Sequence, residues 1–213
     1  MKMTIFGAAG EVGSRVVAEA LSRGHEVTAV VRNPEQLCKL PTGVTSCSGD
    51  AGSVKDVAQL SAGQDLVISA IRPPTGDETQ LVSITQSILQ GAARSSVRVL
   101  VVGGAASLRM PGQGDTTVLT APNFLPAAVI AIARACFAQH EMCSADQQAD
   151  WAYLSPPAML VPGIRTGHYR LGSDELVLDE NGNSQISMED FAVVLIDEAE
   201  QAKHHRTRFT AAY

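Results

Sequence analysis

The chain has 213 residues, 45% of them apolar, a formal net charge of −6 and four lysines. That length suffices for a single domain burying about 70% of its unfolded surface without metal or disulfide support. The acidic balance argues against nucleic acid, which requires a basic face. No apolar run approaches the ~18–20 residues of a membrane span, and the chain opens on a strand instead of a signal peptide, so the expected location is cytoplasmic. The four cysteines (Cys38, Cys47, Cys136, Cys143) have no metal-site spacing and are expected as free thiols, with a Cys38–Cys47 redox pair as the alternative.

The first predicted strand, Met3–Phe6, runs through Gly7-Ala8-Ala9-Gly10-Glu11-Val12-Gly13 into an amphipathic helix over about Glu11–Arg23. This is the junction a dinucleotide pyrophosphate needs. Gly7 permits the tight turn, Gly10 lets backbone approach phosphate, and Gly13 lets the helix lie close on the sheet. The unpaired N–H groups at the helix start, with its positive dipole end, would face the anion. Ala9, Glu11 and Val12 complete the candidate loop.

Further strands are predicted over Glu26–Val31, Val44–Cys47, Leu66–Ile71, Val97–Val102 and Ala152–Ser155. The runs from Leu66 and Val97 are nearly continuous in apolar residues, as parallel strands covered on both faces should be. Between them, Ser53 with Asp56 marks a helix start. Apolar spacing predicts helices over about Asp77–Arg94 and Pro126–Ser144. The alternation predicts a doubly wound parallel α/β sheet, a Rossmann fold. The last third reads differently: Asn181-Gly182 predicts a hairpin, and Ser187 caps a final helix. Residues 156–213 are therefore expected to form a small substrate-side lobe on a single domain spanning 1–213.

At the end of the second strand an NAD-selective site places a carboxylate for the ribose 2′-hydroxyl. Here Arg32 and Asn33 stand instead. Arg32 suits a 2′-phosphate, so NADP(H) is favoured over NAD(H), the alternative being a solvated arginine. Asp50, after Gly49 and before Ala51, either accepts from the adenine amino group or caps the next turn. Ser69, Ala70 and Ile71 are small enough for backbone to skirt the cofactor ribose. Arg72 follows as a phosphate contact or an exposed side chain.

These residues, with Gly103-Gly104-Ala105-Ala106-Ser107-Leu108, Asp150-Trp151-Ala152-Tyr153-Leu154-Ser155-Pro156-Pro157, Ile186-Ser187-Met188-Glu189-Asp190-Phe191-Ala192 and Arg208-Phe209-Thr210, resemble the atypical short-chain dehydrogenase/reductase family. The branch resembled contains NAD(P)H-dependent flavin and biliverdin reductases and regulators related to the nitrogen-metabolite-repression protein. The resemblance implies that Ser155 and Pro156 meet the nicotinamide carboxamide, and that Ser107 matches the serine ending the fifth strand in short-chain enzymes. Ser107 is thus the one candidate catalytic residue, or a strand-end turn serine.

The family's Tyr-x-x-x-Lys pair is missing, because no lysine follows Tyr153, Tyr169 or Tyr213 at that spacing. Ketone reduction needs a proton for the developing alkoxide. A flavin or quinone delocalises charge and takes its proton from solvent, so orientation suffices. The expected activity is NADPH-dependent hydride transfer to a small conjugated acceptor. The rival reading is a non-catalytic NAD(P)(H) sensor. Sugar-nucleotide or ketone chemistry would require Tyr153 or Tyr169 to reach the nicotinamide.

His140 is read as a packed or surface histidine. The loop Leu108–Asn123 is read as a mobile lid or as disorder. Arg165, His168 and Arg170 are read as lining a pocket for an anionic acceptor or as an exposed edge strand.

Overall fold

The computed structural model describes residues 1–213, except for the side chains of Pro34, Leu37 and Lys39. In chain order the elements are β1 (Lys2–Phe6), α1 (Glu11–Ser22), β2 (Glu26–Val31), β3 (Thr45–Ser48), α2 (Val54–Ser61), β4 (Leu66–Ser69), α3 (Gln80–Arg94), β5 (Arg98–Val102), α4 (Ile130–Ala145), β6 (Trp151–Ser155), β7 (Met159–Val161), β8 (Arg170–Gly172), β9 (Gln185–Ser187), α5 (Met188–Gln201) and β10 (Thr207–Ala212). The main sheet has the order β3-β2-β1-β4-β5-β6-β10-β8. Its pairings are parallel except for β8 against β10. This is the doubly wound α/β architecture the alternation predicts, with the chain reversing direction across the sheet between β1 and β4.

Side-chain alternation divides the core. Met3 and Ile5 of β1 pack with Val16 and Val17 of α1 and Phe191 and Leu195 of α5. Phe6 packs on the opposite face with Val57 of α2 and Ile88 and Leu89 of α3. Every residue of β4 and β6 is buried, as expected of strands covered on both faces. Ser53 and Ser187 cap α2 and α5, their hydroxyls accepting from Asp56 and Asp190 N–H at 3.2 and 3.0 Å. Among the described residues no helix is long and apolar enough to cross a membrane.

Three expectations change. The Asn181-Gly182 turn forms, with Gly182 at φ +80 and the Asp179 carboxylate accepting from both Asn181 and Asn183 N–H at 2.8 Å. It does not join a hairpin: β9 pairs with β7 in a separate two-stranded ribbon, while β8 joins β10. The local bonds to Asp179 close the turn without requiring its flanks to pair. The Leu108–Asn123 loop is packed down, since Leu108 and Val118 form a third apolar cluster with Leu176 and Arg109 N–H donates to Asp174 at 2.8 Å. Finally, the helix expected from Asp77 begins at Gln80, because residues 73–79 are held in turns such as Asp77 N–H to Pro74 carbonyl at 3.0 Å.

Buried carboxylates fasten the C-terminal segment to this frame. Glu19 of α1 accepts from Arg165 at 2.7 and 2.8 Å, and that guanidinium, helped by Arg23 against the effect of burial, holds Glu19 below its ordinary 4.5. Burial pushes Asp190 up, but bonds from Thr166, Gly167 and Tyr213 outweigh it and carry the group below its ordinary 3.8. A pKa lowered on folding contributes stability that is complete above the unfolded value and is lost as pH falls through the folded one. Urea midpoints are therefore expected to hold down to about pH 5 and to fall steadily below about pH 4. A midpoint unchanged to about pH 3 would contradict this role for the two carboxylates.

Candidate active site

A cavity of about 780 Å³ opens along the carboxyl ends of the parallel strands, where open α/β sheets bind ligands. It extends from the ends of β2 and β3 (Val31, Arg32, Gly49, Asp50), past β1 and the start of α1, to the ends of β4, β5 and β6 (Ala70, Val102, Pro156). Pocket walls beyond β5 come from α3, α4 and the segment around β7.

The glycine turn builds its centre. Gly7 sits at φ +78, and a Cβ there would lie 2.4 Å from the Ala70 carbonyl oxygen. Only glycine combines that dihedral with that approach. A Cβ on Gly13 would lie 2.1 Å from the Gly7 oxygen, so Gly13 lets α1 settle onto the turn. Unlike α2 and α5, α1 has no side-chain cap. The N–H groups of Glu11, Val12 and Gly13 have no acceptor among the described residues, and Gly10, Glu11 and Val12 border the cavity. This is a ready anion cradle, and it fits a dinucleotide diphosphate.

Of the expected cofactor residues, Gly7, Ala9, Gly10, Glu11, Val12, Arg32, Gly49, Asp50, Ala51, Ala70, Ile71 and Pro156 line the cavity. Gly13, Asn33, Ser69 and Ser155 do not. Gly13 lies under the turn. Asn33 points into its own loop, its side-chain oxygen accepting from Glu35 N–H at 3.0 Å. Ser69 is buried within β4 between β1 and β5. Ser155 is fully buried, and its hydroxyl has no partner among the described residues.

Ser107 also leaves the site. Its hydroxyl accepts from Arg208 Nη1 at 2.9 Å, and Arg208 is paired in turn with Asp174, so Ser107 ties the loop after β5 to β10. His140 packs edge-on against Tyr153, ring centres 5.0 Å apart, and burial, with Arg208 adding to it, pushes its pKa down to about 4. Arg165 is held by Glu19, and Arg170 donates to the Leu178 and Tyr213 carbonyls. None of Arg165, His168 and Arg170 lines the cavity. Of these three, Arg170 lies in β8 at the sheet's edge.

Sequence reading passed over the far end of the cavity. Leu125, Val129, Ile132, Ala133, Cys136, Met159 and Leu160 give it apolar walls, above a floor of Gly103 and Gly104. No serine, threonine, tyrosine, histidine or lysine borders any part of it among the described residues. The Cys136 thiol is pushed up by burial to about 11, although Arg72 acts against the shift, so it stays protonated and inert. Tyr153 lies fully buried beneath the floor and Tyr169 is bonded to Asp197. Neither tyrosine opens on the cavity, and the condition for sugar-nucleotide or ketone chemistry is unmet.

Comparison with known proteins agrees with this geometry. Residues 7–202 match the model of a family described as NAD(P)H-binding. The Bacillus subtilis protein YwnB, itself uncharacterized, is 36% identical, with 99% of this chain and 97% of YwnB aligned. A Bacteroides thetaiotaomicron structure provisionally named an epimerase is 39% identical, with a TM-score of 0.89 over 100% of this chain and 96% of its own. A Streptococcus pneumoniae structure provisionally named an NADH-flavin reductase is 30% identical, with a TM-score of 0.89 over 100% and 99%. The chain belongs to the NAD(P)H-binding family, and its sheet is of the Rossmann type.

Proposed function

We propose that the protein is an NADPH-preferring reductase that passes hydride to a planar conjugated acceptor of the flavin or quinone class. The observation that carries this reading is the far end of the cavity, mostly apolar on its walls and, among the described residues, without a hydroxyl, imidazole or amine to donate a proton. A bound nicotinamide supplies the hydride. The chain's own residues hold, orient and shield. The α1 N–H groups take the diphosphate, Gly103 and Gly104 leave a floor without side chains, and Leu125, Val129 and Ile132 exclude water from the reacting faces. Protonation is left to solvent, which a delocalised acceptor tolerates and a ketone does not. The flavin-reductase name of the Streptococcus neighbour supports the reading. Epimerisation, the name attached to the Bacteroides neighbour, calls for acid–base groups, and the carboxylates of this cavity, Glu11 and Asp50, lie at its cradle end and not among the apolar walls.

Preference for NADPH rests on Arg32. It borders the cavity at the end of β2, is exposed, and has no carboxylate partner among the described residues. Arg32→Asp removes a charge-assisted contact and adds repulsion. NADPH dissociation constants should rise about 100-fold, and NADH constants should shift less than about threefold. Equal effects on both would remove Arg32 from the site.

The acceptor class is tested by incubating the protein with NADPH and FMN, riboflavin or a quinone, and following nicotinamide absorbance. Oxidation with these acceptors and none with simple ketones is expected. Tight cofactor binding without oxidation across the panel would overturn the reductase reading in favour of a sensor.

A further inference from the structure

Beneath the far end of the cavity lies a buried polar chain that the reductase reading does not use. Tyr153, in the middle of β6, is fully buried. Its ring fills the space a side chain on Gly103 would need: a Cβ there would meet ring atoms at 1.9 and 2.0 Å. The neighbouring Gly104 packs in the same way on α4, where a Cβ would lie 2.5 Å from the Cys136 Cβ. Gly104 N–H donates to the Tyr153 hydroxyl at 3.1 Å. That hydroxyl has two acceptors on α4, the Gln139 side-chain oxygen at 3.0 Å and the Cys136 carbonyl at 3.1 Å. Gln139 Nε2 donates to Thr85 of α3 at 2.9 Å, and Thr85 donates to the Leu81 carbonyl at 2.8 Å.

Gly104, Cys136, Gln139 and Leu81 all border the cavity; Tyr153 and Thr85 lie behind it. One phenol thus fastens the floor, the α4 wall and, through Gln139, the α3 wall to each other. Helix packing does not provide this on its own, because only Ala135, Gln139 and Cys143 of α4 are buried. A site with no proton donor depends on orientation for its rate. A buried, fully paired polar network fixes a geometry that apolar contacts would leave adjustable.

We infer that Tyr153 is a positioning residue: its hydroxyl sets the separation between the Gly103–Gly104 floor and the α4 and α3 walls, and so the width of the slot that takes the acceptor ring. The inference rests on the reading of this cavity as an acceptor site. It assigns Tyr153 no contact with cofactor or acceptor. The diphosphate cradle lies on α1 and shares no bond with the network, so acceptor and cofactor affinities should separate.

The test compares wild type, Tyr153→Phe and Gln139→Met. Four quantities are measured: the NADPH dissociation constant, the acceptor KM, the acceptor kcat, and the dissociation constant of riboflavin for NADP⁺-loaded protein by fluorescence quenching. For Tyr153→Phe we expect acceptor KM and riboflavin dissociation constant to rise about tenfold. NADPH affinity should stay within about twofold. Gln139→Met should reproduce the effect, and the double variant should add little to either single one, since the two side chains act as one unit. A loss of thermal stability with acceptor KM and riboflavin affinity unchanged would overturn the inference and leave the reductase reading standing. Failure of wild-type protein to bind or reduce any acceptor would overturn both. A parallel loss of cofactor and acceptor affinity would show Tyr153 to be a general structural support and would also overturn the inference.

Discussion

Gly10→Val is expected to weaken dinucleotide binding more than about 100-fold while the folded protein remains close to wild type in stability. The backbone at Gly10 has φ −78 and ψ 172, a conformation open to any residue. A Cβ there meets only the Gly7 oxygen, at 3.2 Å, which a shift of a few tenths of an ångström relieves. The branched side chain would stand at the mouth of the cradle, beside N–H groups that have no other acceptor among the described residues. Calorimetric titration paired with thermal unfolding separates the two effects. Undiminished affinity would refute the assignment of the loop. Gly13→Ala should behave differently, because its Cβ at 2.1 Å from the Gly7 oxygen forces α1 off the turn and so costs stability along with binding.

The second large effect is on stability. Gly103→Ala inserts a methyl within 1.9–2.3 Å of the Tyr153 ring and hydroxyl. Tyr153 cannot retreat: it is fully buried, and Gly104 and Gln139 hold its hydroxyl. Overpacking a core typically costs about 1–3 kcal/mol, and breaking the Gly104 bond adds about 1 kcal/mol. A loss of roughly 2–4 kcal/mol in urea unfolding is therefore expected. A loss under about 1 kcal/mol would show that the β5–β6 junction has room the packing does not indicate.

The cradle half of this site was legible in the chain because backbone makes it. Gly7, Gly10 and Gly13 carry their meaning in the absence of side chains, and β4 and β5 announce themselves as nearly continuous apolar runs. The apolar half was not legible. Leu125, Val129 and Ile132 look in the sequence like any helix face that packs on a sheet, and only the fold shows that they turn toward a cavity. Ser107 illustrates the converse failure. Its motif position suggested chemistry, but its partner, Arg208, lies 101 residues further along the chain and gives it a structural task. Strand β10 escaped notice because Thr207-Arg208-Phe209-Thr210 has no apolar run; its place follows from pairing with β6. Tyr153 could be seen only as lacking its lysine, whereas its role is set by the glycine pair above it.

Titration of the wild-type protein with NADPH, followed by calorimetry, tests the anion cradle most directly. A saturable one-to-one isotherm with a dissociation constant of about 1–100 µM is predicted, together with weaker association of NADH. Absence of saturable heat with both dinucleotides at millimolar concentration would contradict the assignment of this cavity, and with it the reductase proposal.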